Sequence, residues 1–95
     1  MPYYPKEKYT LVKFRRSHLK NKKYDAILKN KETDRRVIVP FGARGYEQYQ
    51  DKTPLQLYKN YNHGDYRRRE NYWARHKNNI NKPFSPSWFS LKYLW

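Results

Sequence analysis

The chain has no cysteine, which excludes disulfides and thiolate metal sites and leaves packing alone to hold the fold together. Glycine is nearly as scarce, at three of 95 residues. The one close pair, in "GARG" from Gly42 to Gly45, reads as a tight turn. An RNA-binding G-x-x-G loop needs a helix on each side, and here a strand precedes it. No phosphate-binding loop, nucleophile elbow or metalloprotease motif is present. Long apolar runs are also missing. The longest is about "VIVPF", Val37 to Phe41, too short to span a membrane, and the opening "MPYYPKEKYT" lacks the apolar run of a secretory signal. The expected address is therefore inside a cell or in a particle assembled there, and not secreted.

Acids are few. Eight Asp and Glu face 22 Lys and Arg, a formal net charge of +14. A compact body with this charge repels itself, and a polyanion relieves that repulsion; nucleic acid is the commonest one. The excess is dispersed: residues 1–45 carry 13 basic and 4 acidic side chains, and residues 46–95 carry 9 and 4. That excludes a basic tail on a neutral domain.

What the sequence does have is aromatic rings, 19% of residues, with eleven tyrosines and three tryptophans. At this length one core is all the chain can build, and large rings are its natural material. Two prolines in residues 1–8 suggest an extended arm, followed by a single small basic domain over 9–95. "YTLVKFRR" alternates, with Thr10, Val12 and Phe14 on one face and Tyr9, Leu11 and Lys13 on the other. "KYDAILK" sets Tyr24, Ala26 and Leu28 against Asp25, Ile27 and Lys29. After the polar turn "NKETD", "RRVIVPF" supplies a third strand in which Pro40 removes a ladder donor. Short connections make these an antiparallel meander.

Beyond Gly42 the pattern turns helical. Thr53, Pro54 and Gln56 suggest a capped helix from Pro54 to about Tyr61. Asp65 suits the N-cap of a second, Tyr66 to Lys77, with Tyr66, Arg69, Trp73 and His76 on one stripe and Arg68 and Arg75 on another. Ser85 and Pro86 repeat the cap before "SWFSLKYLW", apolar nearly all round and so expected in the core. The fold class expected is α+β, a three-stranded antiparallel β-meander followed by two or three short α-helices.

From Val37 onward, "VPFGARGYEQYQDKTP", "HGDYRRRENYWARH" and "SPSWFSLKYLW" resemble small basic proteins of nucleocytoplasmic large DNA viruses. The resemblance covers about the last two thirds of the chain. It implies a viral protein of the virion, the host cytoplasm or the viral factory, and it transfers no catalytic residue, because that group has no established activity.

Two basic surfaces are candidates for phosphate contacts. Arg67, Arg68, Arg69, Arg75 and Lys77 share a helix whose only acid is Glu70, and guanidinium forks suit phosphate oxygens. Lys13, Arg15 and Arg16, with Lys20, Lys22 and Lys23 in the loop beyond, lie beside Tyr9 and Tyr24, an interleaving of cations and rings that can stack bases. Lysines that blunt an edge strand would have the same composition. The expected function is non-enzymatic, sequence-independent nucleic-acid binding, with no cofactor and no metal. A minor capsid or cement protein that bridges acidic faces of viral structural proteins is the alternative. A metal-dependent nuclease built on His63, Asp65 and His76 is a third, although H-x-D followed by His eleven residues later matches no motif with a known mechanism.

Overall fold

The computed structural model describes residues 4–95. Three strands, β1 (Tyr9–Arg16), β2 (Lys22–Asn30) and β3 (Arg36–Ala43), form one antiparallel sheet in the order β1-β2-β3. Two helices follow, α1 (Tyr66–His76) and α2 (Pro86–Tyr93), with 3₁₀ turns at Lys59–Tyr61 and Lys77–Asn81. This is the α+β meander with helices read from the sequence. Of the residues expected as an extended arm, Met1 to Tyr3 lie outside the described residues. Pro5 to Lys8 turn instead of extending, with Lys8 N–H donating to the Pro5 carbonyl at 3.0 Å, and Tyr4 lays its ring edge-on to Tyr9.

β1 corrects the expected alternation. Leu11 pairs with Leu28 and Lys13 with Ile27, so Val12 is the extra residue of a bulge. A bulge shifts the phase of every side chain beyond it. Tyr9, Leu11 and Phe14 consequently share the core face, while Thr10 and Val12 are exposed. β2 is the central strand and is buried on both faces. Tyr24, Ala26 and Leu28 join the main core. On the reverse face Ile27 lies between its register partners Lys13 and Ile38. Pro40 sits in β3, an edge strand, where its missing N–H leaves no orphan in the sheet interior.

The core is aromatic. Phe41 stacks on Tyr24 and on Phe89, and Phe14 meets Phe41, Phe89 and Tyr93 edge-on. Ser85 Oγ caps α2 by accepting from Trp88 N–H at 3.2 Å, and Pro86 opens its first turn. Trp88, Phe89 and Leu91 are buried, and Leu94 follows them inward. Gly42 (φ +80°) allows this approach, because a Cβ there would stand 2.9 Å from Leu94 Cδ1.

The helix expected over Pro54–Tyr61 does not form. Thr53 Oγ1 does accept from Gln56 N–H, as a cap should. The next amides are then taken by the tertiary structure: Leu57 N–H donates to the Tyr24 hydroxyl and Tyr58 N–H to Asp51. With Gln56 at φ +49° the chain cannot continue as a right-handed helix.

Candidate nucleic-acid interface

The segment between Ala43 and Gly64 has little regular structure and is organised by buried polar side chains. Gln48, Asp51 and Thr53 are enclosed. Asp51 accepts from the Tyr24 hydroxyl, from Thr53 through both N–H and Oγ1, and from Tyr58 N–H. Gln48 donates to the Tyr58 carbonyl and to Asn62 Oδ1, and its own Oε1 accepts from Lys23 Nζ. Gln50 and Lys52 donate their N–H groups to the Leu94 and Tyr93 carbonyls, satisfying the end of α2. Buried polar groups are tolerated when each has a partner, and most of this network does. Of these three enclosed side chains the sequence marks only Thr53, as a helix cap; Gln48 and Asp51 do not stand out in it. The available signal was an aspartate between tyrosines in a chain with few acids.

Lys23 is one of the predicted phosphate contacts, and the structure puts it elsewhere. It is 2% exposed, and its Nζ donates to the Tyr46 carbonyl and Gln48. Burial lowers its pKa to about 8, against the raising influence of Asp51. Tyr24, expected to stack bases beside it, is fully enclosed, and its hydroxyl is pushed up to about 12 by burial and by the bond to Asp51. The rest of that cluster is at the surface: Lys13, Arg15, Arg16 and Lys20 are exposed and Lys22 is half-buried. Arg15 is tied to Asp25 at 3.1 Å, and the Arg16 guanidinium lies 5.8 Å from the Tyr58 ring centre. Asp25 is enclosed and accepts also from Ser17 Oγ and from the N–H and Nδ1 of His18. Burial alone would raise its carboxyl, but these hydrogen bonds prevail and hold it below the usual carboxylate range.

α1 starts at Asp65, whose Oδ1 accepts from Arg67 and Arg68 N–H at 3.0 and 3.3 Å. No residue of α1 is fully buried; it docks through half-buried Arg69, Tyr72, Trp73 and His76, whereas Tyr66, expected on that stripe, is exposed. Arg69 is therefore a structural residue. Its Nε donates to the Trp95 carbonyl at 2.7 Å, and its guanidinium lies between the rings of Tyr49 and Trp73. Arg67, Arg68, Arg75 and Lys77 are exposed. Arg68 pairs with Glu47 at 3.0 Å, and the other three make no ion pair among the described residues.

His63, Asp65 and His76 do not converge. Tyr72 stacks on Trp95 at 4.2 Å, His76 lies on one end of that pair and His63 on the other, so two rings separate the histidines. The Asp65 carboxylate is spent on capping, and its N–H donates to His63 Nδ1 at 2.8 Å. Burial, aided by Arg68, lowers the His63 pKa and favours the neutral ring with its proton on Nε2. Among the described residues no three His, Asp or Glu side chains gather as a metal site would require.

A cleft of about 470 Å³ runs between α1 and the turn after β3. One wall is the helix stripe of Arg68, Asn71, Tyr72 and Arg75, spaced i, i+3, i+4 and i+7; Tyr46 and Lys23 are on the opposite side. Burial raises the Tyr72 hydroxyl, with Arg75 opposing.

An α+β domain with a basic helix along a cleft is the class that these features define. The chain belongs to DUF5754, a family of unknown function, whose profile matches residues 12–76. That span includes Lys23, Tyr46 and the four cleft residues of α1, and stops before α2. No curated protein matches, and no solved structure does. No helix among the described residues is long and apolar enough to cross a membrane.

Proposed function

We propose that the protein binds nucleic acid without sequence preference, through phosphate contacts from Arg67, Arg68, Arg75 and Lys77 on α1 and from Lys13, Arg15, Arg16, Lys20 and Lys22 at the β1–β2 end. Arg69 and Lys23 drop out of the contact set, since both are engaged within the fold. One observation carries this reading. Of the charged side chains, those enclosed are Lys23, Asp25 and Asp51, so two of only eight acids leave the surface while almost every cation stays on it. The surface thus keeps 21 of the 22 cations against six of the eight acids, and release of phosphate counterions converts such a field into affinity. The setting that the sequence resemblance suggests is handling or packaging of a viral genome.

Titration of the purified protein against labelled oligonucleotides of unrelated sequences, across a salt series, tests this. Affinity near micromolar at physiological salt, indifferent to sequence and falling steeply with salt, is expected. Negligible binding at that salt contradicts it. A bridging role between protein subunits would then take its place, and exposed Leu55, Leu57 and Tyr61 would be the first surface to test.

A further inference from the structure

The cleft beside α1 separates two modes of nucleic-acid binding that net charge alone leaves equal. A duplex presents its phosphates along a stiff rod and is met by cations on an open face. Arg68 and Arg75 instead line a hollow. They stand two turns apart on one helix face, roughly 10 Å at 1.5 Å rise per residue, with Asn71 and Tyr72 between them. The volume of about 470 Å³ is within the range of pockets that enclose a small ligand.

Two further features indicate what enters. Arg68 already holds an oxyanion, the Glu47 carboxylate, at 3.0 Å. Both partners are about half exposed, so a phosphate can replace that carboxylate without uncovering a buried charge. Tyr46 also lines the cleft, is 71% exposed, and makes no ring–ring or ring–cation contact among the described residues. Every other large ring near the cleft is occupied: Tyr72 and Trp95 stack on each other and on the two histidines. A free ring at the mouth of a cationic hollow is what an unpaired base stacks on.

We propose that this cleft receives one unpaired nucleotide of a single strand, its phosphate held between Arg68 and Arg75 and its base stacked on Tyr46. The proposal rests on the nucleic-acid reading and narrows it to single strands. Asn71, with an amide that both donates and accepts, faces the edge of the base and tolerates any of them.

The test is anisotropy with a labelled oligothymidylate and with a duplex of equal length, at fixed salt, for the unchanged protein and for Tyr46→Ala. Tyr46 is exposed, so its removal leaves the fold intact. The single strand is expected to bind tighter than the duplex, and Tyr46→Ala to weaken it about 5- to 150-fold, the range of one base–aromatic stack, with duplex binding unchanged. Equal affinity for the two forms, or a single-strand preference that survives Tyr46→Ala, overturns the cleft assignment and leaves the general phosphate reading standing. Failure to bind either form at physiological salt overturns both.

Discussion

At the β1–β2 end of the molecule Lys23 is enclosed, Arg15 is held by Asp25, and Arg16 lies over Tyr58. Along α1, by contrast, Arg67, Arg75 and Lys77 extend from the fold unpaired among the described residues, and Arg68 has only the exposed Glu47. In sequence the sheet end is the more basic of the two, with six cations and no acid from Lys13 to Lys23 against five cations and Glu70 from Tyr66 to Lys77. The first uses much of its charge to build a sheet end and to anchor the Ala43–Gly64 segment, whereas the second builds its helix with a cap and a few rings and leaves its charge for a partner. A count of cations therefore overstates the binding capacity of the sheet end and not that of the helix.

The sharpest way to break this contrast is at the network that Lys23 serves. Asp51→Ala strands the Tyr24 hydroxyl, the Tyr58 amide and the Thr53 amide and hydroxyl, removes the carboxylate that favours the Lys23 ammonium, and is expected to cost about 3–5 kcal/mol in denaturant unfolding. A loss under about 1 kcal/mol would mean that the Ala43–Gly64 segment is not anchored this way. Next in size is the helix. Replacing Arg67, Arg68 and Arg75 together by alanine is expected to weaken binding about a hundredfold near physiological salt, as loss of about three phosphate contacts predicts, with little change in unfolding.

A pH series sharpens the same comparison. The folded pKa of Lys23 is about 8 against 10.5 unfolded, so between those values the unfolded chain binds more protons and stability rises with pH. Tyr24 has the opposite sign: its folded value of about 12 exceeds 10, so stability falls between pH 10 and 12. Unfolding midpoints should climb from pH 8 to 10, and Lys23→Met should flatten the climb. A midpoint that falls over that interval in the unchanged protein contradicts the burial of the ammonium. Asp65→Ala removes only the cap of α1 and is expected to cost about 1 kcal/mol, read as a small loss of helical signal on heating. Lys20→Ala, at an exposed loop position, should change stability by no more than about 0.5 kcal/mol.

The strands were legible because their alternation was strong, and α1 and α2 because Asp65 and Ser85 are local signals whose meaning does not depend on the rest of the fold. The bulge at Val12 was not legible. Nothing in "YTLVKFRR" marks the phase change, which is fixed by the register with β2. The missing helix after Thr53 has the same origin, since the sequence contains the cap but not the distant Tyr24 and Asp51 oxygens that take its amides. In the candidate site, the cationic residues of α1 were readable as charge without a local acid. That Arg69 turns inward and Lys23 is enclosed depended on contacts with Trp95 and Gln48, both more than 20 residues away in the chain.

The most direct test compares two triple variants, Arg67, Arg68 and Arg75 to alanine and Lys13, Lys20 and Lys22 to alanine, by oligonucleotide binding from about 50 to 200 mM salt. If α1 is the principal phosphate-binding face, its variant lowers the salt slope by about 2 to 3 units and the sheet-end variant lowers it by less. Equal losses, or a slope that the α1 variant leaves unchanged, would contradict the account.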